Sequence, residues 1–93
     1  MAFKTHGLLP GMTQEVYEGL FQQVGAKLRV APGFIAHIAN ATDGGWEVIE
    51  VWESEAAALG WLNEHVYPMM RAAGAPLPDL NGRPVHNLVL AGR

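Results

Sequence analysis

Residues 34 to 53 read "FIAHIANATDGGWEVIEVWE", two runs rich in β-branched and aromatic residues joined by Thr-Asp-Gly-Gly. Asp-Gly between such runs is a strong short-range signal for a hairpin, because glycine takes positive φ at no steric cost. No other stretch constrains the fold as tightly, since the turn sets the strand register and the register decides which side chains share a face. With Asp43 and Gly44 as the loop, Thr42 faces Gly45 and His37 lies directly opposite Glu50. A four-residue loop keeps that register, whereas a three-residue loop with a bulge slips it by one.

Alternation then sorts the hairpin into two faces. One carries Ile35, His37, Ala39, Trp46, Val48, Glu50 and Trp52; the other carries Phe34, Ala36, Ile38, Asn40, Glu47, Ile49, Val51 and Glu53. Glu50 sits mid-strand among apolar neighbours, where a lone carboxylate is expensive to bury. A facing imidazole offsets that cost, because opposed Cβ atoms lie about 4.5–5.5 Å apart, within reach of a charged hydrogen bond. The carboxylate also holds the imidazole in one tautomer, the arrangement of a general base. His37 and Glu50 are therefore the candidate catalytic residues. The same pair would equally serve as an internal structural pair or a pair at a dimer seam.

The rest of the chain is organised around this hairpin. "AFKTHGLL" (2–9) reads as a strand stopped by Pro10-Gly11. Thr13 is a good N-cap, Glu15 suits a helix N-terminus, and Val16, Tyr17, Leu20, Phe21, Val24 and Leu28 recur at helical spacing. Gly19 and Gly25 each cost about 1 kcal/mol in a helix interior, and close packing against a sheet is one reason to keep them. Ser54 caps a second helix that runs through Leu59, Leu62, Val66, Met69 and Ala73, with Pro68 expected to bend or divide it near Val66–Tyr67. Residues 74–84 read as loop and "VHNLVLA" (85–91) as a last strand. The order βαββαβ predicts a single α+β domain over 1–93, a ferredoxin-like sandwich with an antiparallel sheet and helices on one face.

Composition matters at this point, because such a sheet turns its other face to water. Of the 93 residues 49% are hydrophobic and 16% charged, more apolar surface than a small monomer readily hides. A homodimer, or a cavity for a small apolar or aromatic ligand, would absorb the excess. Net charge is −3 with the cations scattered, so no nucleic-acid partner is expected. Cysteine is absent, which removes thiol nucleophiles, disulfides and thiolate metal sites. No 18-residue apolar stretch or charged leader is present, and the expectation is a cytoplasmic protein without membrane contact.

Other side chains could line a site. Trp61 and His65 lie four apart and share a helix face. His86 opens the last strand and could reach the same cavity, and Trp46 and Trp52 flank Glu50 on its strand face. Each tryptophan could instead be core, and Tyr67 reads as structural beside Pro68. His6 lies on the first strand with no role decided. GxGxxG, P-loop, GxSxG and HExxH patterns are all missing, and the histidines fall in four separate elements, so neither a cofactor nor a metal is expected.

With this element order and the phrase "VWESEAAALGW" at 51–61, the chain resembles the dimeric α/β-barrel superfamily, and within it the antibiotic-biosynthesis-monooxygenase-like group. The resemblance implies a homodimer whose two sheets form a barrel, with the ligand between sheet and helices. It implies cofactor-independent oxygenation of an aromatic polyketide, or cyclisation or isomerisation without oxygen. His37 backed by Glu50 would be the base, and Trp46, Trp52 or Trp61 would stack on the rings, with His65 and His86 as further ligand contacts. Heme degradation is a third implication: Trp61 matches a tryptophan of heme-degrading members, but their axial histidine aligns with Met70, and His65 comes one turn early. A dimer that binds an apolar ligand without catalysis also fits.

Overall fold

Residues 1–92 are described in the computed structural model. The elements are β1 (Phe3–Pro10), α1 (Gln14–Arg29), β2 (Phe34–Thr42), β3 (Gly45–Trp52), α2 (Glu55–Trp61), a π-helical segment (Leu62–Val66), α3 (Tyr67–Ala72) and β4 (Asp79–Pro84). The sheet runs in the order β2-β3-β1-β4 with every neighbouring pair antiparallel, the α+β ferredoxin-like sandwich. Among the described residues no helix is long and apolar enough to cross a membrane.

The hairpin has the register set by a two-residue turn. Thr42 pairs with Gly45, Ala39 with Val48 and His37 with Glu50, while Gly44 takes φ +78°. A bulge between Phe34 and Ala36 then shifts the far end, so Phe34 pairs with Trp52 and Ile35 is left over. Phe34 thereby joins the inner face rather than the outer one, and its ring meets Trp52 edge-on with centroids 5.4 Å apart.

Both helix N-caps form as the sequence indicates: Thr13 Oγ1 accepts from the Val16 N–H, and Ser54 Oγ from the Ala57 N–H. Gly25 is buried because the Phe21 ring lies over it, 2.9 Å from where a Cβ would stand; the close packing is with a side chain of its own helix rather than the sheet. A Cβ at Gly19 would meet nothing within 4 Å among the described residues. Pro68 divides the second helix as expected. It has no N–H to return to the preceding turn, and the chain widens just ahead of it, with the Tyr67 N–H donating to the Leu62 carbonyl five residues back.

The last strand is a correction. β4 is Asp79–Pro84, inside the expected loop, and 85–91 holds no strand. Composition pointed the wrong way, since "DLNGRP" is turn-like and "VHNLVLA" strand-like; tertiary pairing overrides propensity here. Pairing with β1 runs from Leu8↔Asp79 to Phe3↔Pro84, and just beyond it the Ala2 carbonyl accepts from the Val85 N–H at 2.8 Å. Gly82 fits this strand because the Phe3 ring sits where a Cβ would be, at 2.6 Å. The helices cover the face that carries Glu50 and Trp52, and the core there is Leu28, Trp52, Ala58 and Trp61 with Phe3, Phe21 and Phe34 packed against it.

Candidate functional site

β2 and β3 set His37 and Glu50 side by side, and α1 lays Tyr17 across them. His37 Nδ1 lies 2.7 Å from Glu50 Oε2, and His37 Nε2 lies 2.7 Å from the Tyr17 hydroxyl. The other carboxylate oxygen, Oε1, accepts from the Trp52 indole N–H at 3.1 Å. An ionised carboxylate only accepts, so the Nδ1–H donates to Glu50, leaving Nε2 as the acceptor for the Tyr17 O–H. The result is one directed chain, Tyr17 to His37 to Glu50, with Trp52 donating to the same carboxylate.

Burial and the Glu50 charge, in that order, push the Tyr17 phenol above its ordinary value. Tyr17 is thus held as a neutral donor. Its ring stacks on Trp46, centroids 5.2 Å apart, and on Phe21 at 5.7 Å. Sequence reasoning placed Tyr17 only in the apolar stripe of α1. The available signal was the hydroxyl itself, because a phenol on a core-facing stripe needs a polar partner.

These groups border a cavity of about 100 Å³ between sheet and helices. Among the described residues Tyr17, His37, Glu50 and Thr5 are the polar side chains in its wall, and the rest is apolar, including Phe21, Val24, Trp61, Met69 and Met70. Thr5 stands opposite Glu50 in the β1–β3 pairing, so three strands contribute to one polar row.

The other proposed contacts are dispersed. Trp61 does border the cavity. Trp52 is almost wholly buried in the core against Phe34 and Trp61, and it holds Glu50 rather than lining the cavity. Trp46 backs Tyr17 from outside the cavity wall, and its Nε1–H is buried without an acceptor among the described residues. His65 stacks on Trp61 with centroids 4.5 Å apart, but it faces a separate groove bordered by Lys27, Glu53 and Glu64. His86 is exposed and does not reach the cavity, because the strand expected to carry it inward is absent. A heme does not fit these residues. The cavity is far smaller than a porphyrin, and the only histidine in its wall among the described residues is His37, while His65 borders the other groove.

His6, left open by the sequence, forms a second pair on the outer face: His6 Nε2 lies 2.8 Å from Glu47 Oε2, and Asn40 Nδ2–H donates to Glu47 Oε1 at 2.9 Å.

No protein-family model and no curated protein matches the chain. Solved structures do match. SnoaB, a cofactor-independent oxygenase from Streptomyces nogalater, is 16% identical over 95% of this chain and 95% of that one, with a TM-score of 0.68. A candidate antibiotic biosynthesis monooxygenase from Caulobacter crescentus is 17% identical over 92% and 91%, with a TM-score of 0.72. NE2512 from Nitrosomonas europaea, a protein of unknown function, is 13% identical over 99% and 94%, with a TM-score of 0.71. At such identities the likeness is one of fold.

Proposed function

We propose that this chain, whose fold is that of the antibiotic-biosynthesis-monooxygenase-like group of the dimeric α/β-barrel superfamily, is a small oxygenase acting by base-catalysed proton abstraction. His37 is the base and Glu50 positions it. One observation carries this reading: an imidazole tied at Nδ1 to a buried carboxylate, with its Nε2 directed at a phenol in the wall of an apolar cavity.

A substrate entering the cavity displaces the Tyr17 hydroxyl from Nε2. The imidazole then takes the acidic hydrogen, Glu50 stabilises the imidazolium, and the freed phenol donates to the oxyanion that develops on the substrate. Tyr17 suits that role because it is kept neutral. Dioxygen is the co-reactant: the carbanion adds to it, the peroxide anion takes the proton back from the His37 imidazolium to become a hydroperoxide, and loss of water leaves a carbonyl. One oxygen atom stays in the product, and the other leaves as water with two hydrogens from the substrate. The apolar walls shield the carbanion from protonation by solvent. Cyclisation or isomerisation would use the same proton transfer with no oxygen consumed.

The outer sheet face supports a homodimer. Ile38 is 56% exposed and Leu8 41%, with Ile49 and Val51 beside them on the same face, and two such faces packed together would cover the patch.

Oxygen uptake and exchange of substrate hydrogen into deuterated water, measured with resorcinol, naphthoresorcinol and anthrone, test the reaction. At least one probe is turned over by the wild type, and His37→Gln lowers that rate roughly a hundredfold to ten-thousandfold. A wild type inert toward all three, or a His37→Gln variant of unchanged rate, would overturn the proposal.

A further inference from the structure

We infer that the ligand of the His37 cavity is an uncharged single-ring aromatic bearing one acidic hydroxyl, rather than a multi-ring polyketide. The placement of the hydroxyl rests on the reading of His37 as base; the size and charge of the ligand do not.

Size is the first argument. The free space is about 100 Å³. An apolar protein cavity of roughly 150 Å³ is enough for benzene. One ring is the scale of this cavity, with small movements of the flexible Met12 and Met69 side chains in its wall supplying the remainder. Three fused rings are not.

Charge is the second. Among the described residues no lysine or arginine borders the cavity, and Glu50 does. A carboxylate or phosphate on the ligand would be buried beside a like charge with no cation to receive it.

Shape and chemistry are the third. The polar groups converge on one wall, because Thr5, Glu50 and His37 are paired across β1, β3 and β2 while Tyr17 bonds His37 from above. The remaining walls are apolar and include the thioethers of Met12, Met69 and Met70, which make favourable contacts with aromatic rings. A ring with a single polar edge matches that division.

Calorimetric titration with phenol, naphthol and anthrol, each carrying one hydroxyl, tests the inference. Ordinary apolar binding strengthens with every added ring, since more area leaves water. A one-ring cavity reverses the order, so phenol binds the wild type at least tenfold more tightly than anthrol, and Met69→Ala raises the affinity for naphthol severalfold. Anthrol binding as tightly as phenol, or more tightly, overturns the inference. The two proposals fail separately. If His37→Gln abolishes turnover while anthrol is the tightest ligand, the base stands and the single-ring assignment falls. If the ring order holds while His37→Gln leaves turnover unchanged, the size assignment stands and the base falls.

Discussion

The sheet carries two histidine–glutamate pairs, one on each face, with nearly equal contact lengths of 2.7 Å for His37–Glu50 and 2.8 Å for His6–Glu47. What differs is the surroundings. The side chains of the first pair are 15% and 8% exposed, those of the second 39% and 25%. In the inner pair every remaining polar atom is engaged by another side chain, half-buried Tyr17 on Nε2 and buried Trp52 on the second carboxylate oxygen. In the outer pair Asn40 occupies the second oxygen from an exposed position. Contact geometry alone therefore does not separate the enclosed pair from the surface one. Enclosure does, together with the cavity that His37 and Glu50 border.

The sharpest way to break this comparison is to remove each carboxylate. Glu50→Ala leaves the His37 and Trp52 N–H groups buried without an acceptor and should cost about 3 kcal/mol in urea denaturation. Glu47→Ala should move the midpoint far less, because solvent replaces what is lost. Equal losses would mean that the two pairs are alike.

Next in size is Tyr17→Phe, which takes one hydrogen bond from the inner pair and should cost about 1 kcal/mol by the same measurement. A midpoint unchanged from wild type would detach Tyr17 from the pair.

Smaller still is an alkaline limb. The Tyr17 phenol is raised by burial and by Glu50, so the fold favours its neutral form. That contribution is complete below the unfolded phenol value near 10 and is lost as pH rises through the folded value. Stability followed above pH ~10 should fall more steeply in wild type than in Tyr17→Phe.

The smallest effect belongs to the outer pair. Glu47 is lowered, first by the His6 hydrogen bond and then by Asn40, with burial opposing. Its contribution is present above the ordinary carboxylate range and lost as pH falls through the folded value. The acid limb below pH ~4 should therefore be slightly shallower in Glu47→Gln than in wild type.

The hairpin register and the His37–Glu50 pairing were legible because Asp43-Gly44 is a local signal and alternation propagates it. Three features were not legible, and each depends on distant parts of the chain. The Phe34 bulge answers to Trp52, which gains a ring partner on the inner face. β4 answers to β1, which pairs with an unpromising Asp-Leu-Asn-Gly-Arg-Pro rather than with the more strand-like segment that follows. Tyr17 reaches His37 across twenty residues. Trp52 shows the converse: an aromatic that sequence read as a ligand platform stands in the core and donates to the Glu50 carboxylate.

The central claim is that His37 waits as the Nδ1–H tautomer, with an unprotonated Nε2 that accepts from Tyr17 at the cavity wall. Nitrogen NMR of the histidine side chains, with and without phenol, tests it most directly. The account predicts a protonated Nδ1 and a bare Nε2 on His37, with only that Nε2 shifting as phenol is added while His6 stays unchanged. A proton found on Nε2 of resting His37, or a response confined to His6, would contradict it.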